Sequence, residues 1–397
     1  MKQGWETRKI GDILKETETI NPNLTPNKQF KYVDVSSVSN TSFTIENAKN
    51  IFGKLAPSRA RKLILAGDIV FATVRPTLQR ISKIPEEYNK QVCSTGFFVL
   101  RPTREVLNTY LYYYLFTESF KSNIKDLQRG TSYPAVTDSD IKNQRISYPK
   151  SLVEQQRIVA ILDQAFDAIA KAKANTEKNL ANARELFEST LNTNLSNLNM
   201  EWEDKKLGEI FEIERGGSPR PISSYLTKEP NGVNWIKIGD TKGITKYIYK
   251  TEEKIRPEGV RKSRMVYEED FILSNSMSFG RPYIMKTTGC IHDGWLVLRA
   301  KTKNIDQDFL YYVLGSNLIF SQFDKLAAGS TVRNLNIGLV KSVTIPLPPL
   351  GEQQAIVTRL EVLSAETKKL EALYQQKLAD LDELKRSILQ KAFNGDL

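Results

Sequence analysis

Histidine is nearly missing from this 397-residue chain, which holds only His292. A single imidazole excludes His-rich metal sites and leaves any His-dependent triad with one candidate. Cysteine is almost as scarce: Cys93 and Cys290 stand alone, with no C-x-x-C spacing. A chain of this length needs no disulfide to build a core, and two isolated thiols suit a reducing cytoplasm. No apolar run approaches the roughly 18 residues of a membrane span. The densest patch, residues 111–116, is short and half tyrosine. The opening residues Met1, Lys2, Gln3, Gly4, Trp5 and Glu6 contain no apolar signal-like core, so a cytoplasmic chain without a membrane partner is expected. Catalytic signatures are missing too. There is neither a G-x-G-x-x-G nor a G-x-x-x-x-G-K-[ST] phosphate loop. The nearest approach to an amino-methyltransferase element, Asn21-Pro22-Asn23, lacks the second proline and the aromatic.

What is present is a foldable, basic chain. Hydrophobic residues make up 40% and charged residues 26%, which excludes a disordered or collagen-like protein. Lys and Arg number 57 against 46 Asp and Glu, for a net charge of +11. A surplus of that size points to a polyanionic partner, most often nucleic acid. Its location is informative: residues 1–150 carry +9 and residues 199–349 carry +4, while 151–198 and 350–397 carry −1 each. The last two segments therefore have no electrostatic reason of their own to touch a polyanion.

The chain repeats itself. Residues 5–13 (WETRKIGDI) match residues 202–210 (WEDKKLGEI) at an offset of 197, which Cys93 and Cys290 share. Each cysteine precedes a strand-like run that ends in an arginine, at 96–101 and 294–299. Tyr110-Leu111-Tyr112-Tyr113 matches Phe309-Leu310-Tyr311-Tyr312, and Gly130-Thr131-Ser132 matches Gly329-Ser330-Thr331. Glu154-Gln155-Gln156 recurs as Glu352-Gln353-Gln354. Anchors this close to one offset mark a tandem duplication.

Each copy splits again. Its first part mixes short strand-like runs (32–35, 68–74, 97–100; 235–238, 271–273, 296–298) with turns, followed by one amphipathic helix near 107–127 or 306–326. That is the pattern of an α+β globule. The last part is free of proline and helical. Ile356, Leu360, Leu363, Thr367, Leu370, Tyr374, Lys377, Leu381, Leu384 and Ile388 follow a 4-3 rhythm, as do Leu162, Phe166, Ile169, Lys173, Thr176, Leu180, Ala183 and Phe187. Sustained seams of this kind predict two long helices packed on each other, antiparallel if a pseudo-twofold relates the copies. The expected organisation is a globular domain at 1–150, a helix at 151–198, a second globular domain at 199–349 and a second helix at 350–397.

The candidate chemistry is binding. Arg215, Gly216, Gly217, Ser218, Pro219 and Arg220 form a glycine-rich turn with two guanidiniums; glycines let backbone N–H groups approach a phosphate, and arginine forks onto phosphate or guanine. Asn275, Ser276, Ser278 and Arg281 follow a strand, and Thr73, Arg75, Thr77 and Arg80 are their counterparts in the first copy. Arg129 with Ser132, and Ser330 with Arg333 and Asn334, flank the small-residue turns. All are candidate DNA contacts, weighed against solvated turns. The tyrosines at 110, 112, 113 and 114 are read as core rather than as a stacking platform. Asp240, Glu252 and Lys254 could hold a nuclease metal, although their spacing is loose. His292 beside Asp293 is read as a structural or DNA-facing histidine rather than a general base.

Over its full length this pattern resembles the specificity subunit of type I restriction–modification systems. The specific marks are the proline-rich lead-in at 345–350 to Glu352-Gln353-Gln354 and the Gly-Gly-Ser-Pro-Arg turn at 216–220. The first domain departs from the pattern, with no Gly-Gly turn after residue 13 and a degenerate lead-in at 148–152. The resemblance implies a non-catalytic reader with two target-recognition domains alternating with two helices packed as an antiparallel coiled coil. Each domain would take one half of a bipartite, asymmetric site in double-stranded DNA. The chain itself would hold no cofactor. Two modification subunits would carry S-adenosylmethionine and methylate adenine, and two restriction subunits would use ATP and Mg. A stand-alone metal-dependent nuclease and a tandem RNA-binding scaffold are the alternatives from other classes.

Overall fold

A computed structural model describes residues 3–196, 202–276, 279–327 and 334–397. The chain forms two compact units, one of Met1–Glu177 with Gln376–Leu397 and one of Lys178–Gln375. These units cut across the four segments expected from sequence, because each takes a part of both long helices.

In the first unit, β1 (Trp5–Lys9) leads into β2 (Gln29–Val33), β3 (Lys49–Phe52), β4 (Ala60–Ile64), β5 (Ile69–Ala72), β6 (Ile81–Lys83), β7 (Gln91–Ser94) and β8 (Phe97–Leu100). Helices α1 (Asn108–Tyr114), α2 (Glu118–Asp126) and α3 (Asp138–Lys142) follow, then β9 (Arg145–Pro149) and α4 (Leu152–Ser196). The strands make two small sheets, ordered β3-β2-β7-β4 and β6-β5-β8, and β1 pairs antiparallel with β9. Strands β5 and β8 read as unbroken apolar runs because every residue in them is buried.

The second unit follows a related order with more strands: β10 (Glu203–Lys206), α5 (Leu207–Ile210), β11 (Phe211–Arg215), β12 (Leu226–Thr227), β13 (Val233–Ile236), β14 (Tyr247–Ile248), β15 (Glu253–Ile255), α6 (Pro257–Val260), β16 (Arg264–Val266), β17 (Phe271–Ser274), β18 (Pro282–Met285), β19 (Gly289–Ile291) and β20 (Trp295–Ala300). Helices α7 (Gln307–Gly315), α8 (Asn317–Ala327) and α9 (Ile337–Ser342), strand β21 (Thr344–Leu347) and helix α10 (Leu350–Asn394) complete it. Its sheets are β11-β20-β17-β18-β14 and β12-β15-β13-β19-β16, with β10 paired to β21. The duplication is visible in register. Cys93 on β7 faces Val33 on parallel β2, and Cys290 on β19 faces Trp235 on parallel β13. Burial pushes the two thiols up, to about 12 and about 11, as fits packing residues. The repeated arginines have one task as well: Arg101 forks onto Asp68 at 2.8 Å, and Arg299 reaches Asp270 at 2.8 Å.

The Glu-Gln-Gln repeat has a structural purpose. Fully buried Gln155 accepts the Leu107 N–H (2.8 Å) and donates to the Glu105 and Pro149 carbonyls (2.8 Å each). Gln353, also fully buried, accepts the Asp306 N–H (2.7 Å) and donates to the Asn304 and Pro348 carbonyls (3.0 and 2.8 Å). Each side chain clips the start of a long helix to the turn before the α1 or α7 helix.

Two expectations are corrected. The single helix near 107–127 is two helices, because the Thr117 hydroxyl donates to the Tyr114 carbonyl (2.8 Å) and accepts the Phe120 N–H (3.4 Å). Ser316 does the same between Val313 (2.6 Å) and Ile319 (3.3 Å). These hydroxyls end one helix and cap the next. The seam of α10 is also different: Leu370, Lys377 and Leu384 face solvent, whereas Glu371, Leu378 and Lys385 turn inward. A straight helix drifts from a strict heptad line by about 20° per seven residues, roughly 80° from position 356 to 384, so the inward row shifts by one residue. Within the first unit, α4 and α10 run antiparallel, with Lys173 paired to Asp382 and the Arg157 guanidinium 2.7 Å from the Leu397 carbonyl oxygen. Within the second, Arg184 meets Glu371 at 3.2 Å, and Leu191 and Leu195 share a core with Ile356 and Leu360.

Candidate nucleic-acid interface

In the first unit two loops are joined edge to edge at the end of β5. The Thr73 N–H donates to the Gly96 carbonyl (2.9 Å), and its carbonyl accepts the Val136 N–H (2.9 Å). The Arg75 N–H donates to the Pro134 carbonyl (2.7 Å). This brings residues 73–80 beside the turn at 129–135, as one surface. Arg75 is exposed, its backbone left-handed at φ +49°, with its guanidinium 4.7 Å from the centre of the exposed Tyr133 ring. Stacking on an aromatic face holds the charge forward without neutralising it. Thr77 and Ser132 are exposed beside it.

Other candidates here are engaged by the fold. The buried Thr73 hydroxyl donates to Gly96 (3.0 Å), and half-buried Arg80 donates to the Val38 carbonyl. Arg129 forks onto Asp140 at 2.7 and 3.1 Å. That guanidinium, with the Thr137 amide and hydroxyl, holds the Asp140 carboxyl well below the usual range. Arg129 stays solvent-exposed on one side, but a DNA phosphate would have to compete with a bidentate carboxylate for it.

The second unit uses the same scaffold with other side chains. The Asn275 N–H donates to the Gly294 carbonyl (2.9 Å), and its carbonyl accepts the Leu335 N–H (2.9 Å). Asn275 is buried, its amide nitrogen donating to the Asp293 carbonyl at 3.1 Å. Ser276 and Asn334 are half exposed and Arg281 is exposed. Ser278, Ser330 and Arg333 lie outside the described residues.

Asp293 organises the glycine-rich turn. Its carboxylate accepts from the Ser218 hydroxyl and lies 4.0 Å from the Arg220 guanidinium, while its carbonyl accepts from Arg215 Nε (3.0 Å). The turn glycines serve a purpose other than the expected phosphate cradle. The Gly216 and Gly217 N–H groups donate inward, to the Trp295 and Ile291 carbonyls (2.9 and 3.1 Å). A Cβ at Gly216 would lie 2.1 Å from the His292 carbonyl oxygen; glycine is required by close packing, and the two arginines remain as the outward groups. Sequence reasoning missed Asp293 as an organiser and Tyr133 as an exposed ring. The signal for Tyr133 was its place at the tip of a Gly-Thr-Ser-Tyr-Pro turn.

The remaining candidates are accounted for geometrically. Tyr110 and Tyr114 are buried, their hydroxyls donating to the Ser147 and Arg145 carbonyls (3.1 and 2.6 Å). His292 Nδ1 accepts the Gly294 N–H at 2.6 Å, and its Nε2 lies 3.2 Å from the Ile238 amide nitrogen. Burial lowers its pKa, outweighing the opposing pull of Asp293, so a neutral ring belongs there. Both Asp240 carboxylate oxygens take backbone amides, from Lys237 (2.7 Å) and Glu252 (3.1 Å). Among the described residues there is no cluster of three His, Cys, Asp or Glu side chains suited to a metal, and no helix long and apolar enough to cross a membrane.

Comparison with known proteins gives one result. The profile of the type I restriction modification DNA specificity domain matches this chain twice, over residues 2–179 and 199–379. The chain is 25% identical over 352 residues to the type I restriction enzyme StySPI specificity subunit of Salmonella potsdam, covering 83% of this chain and 74% of that one. It is similar to a solved chain from a study of complex assembly and conformational transition of the type I R-M system, with TM-score 0.89, 30% identity, and coverage of 100% and 99%. The HsdS subunit from Thermoanaerobacter tengcongensis superposes with TM-score 0.69 at 30% identity, covering 100% and 98%.

Proposed function

This chain belongs to the type I restriction modification DNA specificity family, and on that premise we propose that its two units read the two different halves of a bipartite, asymmetric site in double-stranded DNA. One observation carries this reading. The units share a backbone scaffold, Thr73 bonded to Gly96 and Val136 and Asn275 bonded to Gly294 and Leu335, yet they present different side chains on it. Exposed Arg75, Thr77 and Ser132 stand on one, and Arg281, Ser276 and Asn334 on the other. Base edges in the major groove differ in their donor and acceptor pattern, so different side chains on like scaffolds select different sequences.

The chain acts as the targeting subunit and performs no chemistry itself. Two modification subunits bring S-adenosylmethionine and methylate adenine, and two restriction subunits supply ATP-driven, Mg-dependent cleavage. The test is reconstitution with the modification subunits and S-adenosylmethionine on genomic DNA, followed by mapping of methylated adenines. The expected motif has two unlike halves and an undefined gap. A single uninterrupted motif would overturn the two-reader assignment. Plasmid cutting by the chain with Mg alone would favour the nuclease alternative, and preferential competition by RNA the scaffold alternative.

A further inference from the structure

The shifted seam of α10 has an electrostatic consequence in the first unit. Because the inward row moves by one residue, Lys385 takes a place that a leucine would hold on a strict heptad line. Its ammonium lies over the Phe166 ring, 4.9 Å from the centroid. Among the described residues no carboxylate lies within ion-pair distance of it. The nearby acids are engaged elsewhere, Asp382 with Lys173 and Glu118 with Lys121 at 3.1 Å. Burial, with Lys173 and Lys121 close by, lowers the pKa of Lys385 against the pull of Asp382. Beside it opens a cleft of about 530 Å³, lined by Lys121 and Glu118 of α2, Lys385, Arg386 and Asp382 of α10, and Gln79 of the recognition loop.

A half-buried cation without a counter-ion is costly unless something supplies negative charge. The second unit does without this arrangement: at the equivalent sequence places, Lys121, Lys385 and Arg386 become Phe320, Phe187 and Glu188. The basic trio is therefore no by-product of the duplicated fold.

We infer that this cleft is an anion site that takes a phosphate group, held by Lys121, Lys385 and Arg386. The lining holds three cations against two carboxylates, and both carboxylates are taken by lysines, Glu118 by Lys121 and Asp382 by Lys173, so Lys385 and Arg386 carry the charge that an anion would meet first. A DNA backbone phosphate is the favoured source because Gln79 belongs to the loop at 73–80; that preference rests on the DNA-reading function proposed above. The site itself does not. The C-terminal helix thereby contacts the polyanion, although its net charge of −1 argued against it.

The experiment is amine acylation of the full-length chain, read at each lysine by mass spectrometry in three conditions: no added anion, inorganic phosphate, and a duplex of random sequence. A bound phosphate that raises the Lys385 pKa by one unit cuts its neutral amine, and its labelling rate near pH 8, about tenfold. Exposed Lys171, paired with Asp167, serves as the reference that phosphate leaves unchanged. Protection by duplex alone supports the site and assigns the DNA backbone as the source. Protection by phosphate as well supports it and shows that free phosphate suffices. No protection of Lys385 by either, with duplex bound, overturns the site while leaving the DNA-reading function standing. A chain that ignores duplex but is protected by phosphate keeps the site and loses that function. As a second readout, K385Q/R386Q should flatten the salt dependence of duplex binding, by about 1–2 in log–log slope.

Discussion

Replacing Gln353 by methionine should destabilise the second unit while barely changing the volume at the site. The side chain is fully buried, and it satisfies one N–H, that of Asp306, and two carbonyls, those of Asn304 and Pro348. Methionine fills the same space but offers none of these partners, so three buried backbone groups lose their bonds together. At roughly 1 kcal/mol net for each lost bond, the cost is about 3 kcal/mol, and more if water cannot enter. Gln353→Ala should cost at least as much, because it adds a cavity to the same polar loss. Gln353→Glu keeps the acceptor but sets a carboxylate against two carbonyls, and should be no better than methionine. Urea denaturation followed by tryptophan fluorescence reads the effect. Trp202, Trp235 and Trp295 belong to the second unit and Trp5 to the first, so the Gln353 variants should move the main transition. Gln155→Met should destabilise the other unit. A methionine variant within about 0.5 kcal/mol of the parent would refute the clip, since packing alone would then explain the motif.

Three further outcomes are expected. Non-specific duplex binding should be steeply salt dependent, with a log–log slope near −5 for about six neutralised phosphates; a slope shallower than about −2 would show that the basic units do not embrace the duplex. Arg281→Ala should cost roughly 1–3 kcal/mol and relax the methylated motif at one position in one half only, whereas Arg220→Ala should weaken all sequences alike; unchanged affinity and motif in both would discard these loop assignments. The last concerns acid. His292 has a folded pKa lowered chiefly by burial, so the unfolded chain binds its proton more readily. Its stabilising effect is complete above the ordinary histidine value of about 6.5 and falls as the pH drops below it. The denaturation midpoint of the second unit should therefore decline from pH 7 to 5 (about one histidine titration), and His292→Asn, which keeps an acceptor for the Gly294 N–H, should flatten that decline.

Much of the architecture was legible because it rests on short-range or covalent facts. A duplication leaves matched anchors such as Trp5 and Trp202 or Cys93 and Cys290, whatever the tertiary structure does with them. Long helices announce themselves through the absence of proline and a recurring apolar row, and a charge surplus can be summed without knowing the fold. Those features sufficed for the α+β class, the two long helices and the choice of family. Local hydroxyls already set a limit to this: Thr117 and Ser316 break helices whose apolar pattern runs straight through them, because a cap competes with the helix over only three residues.

The tertiary structure decided which candidate side chains are available. Thr73, Arg80, Arg129 and Asn275 look like Arg281 in sequence, yet each is held by a partner elsewhere in the chain: Gly96, Val38, Asp140 and Asp293. Whether an arginine points outward depends on which loop folds back beside it, and no local pattern encodes that. The same holds for the α10 seam. Its 4-3 spacing is a property of the sequence, but the 3.6-residue turn of a straight helix decides that Lys385 rather than Leu384 turns inward. The sequence alone determined what the chain is built from and whom it resembles; the three-dimensional meeting of distant segments determined which charges are free to meet a phosphate.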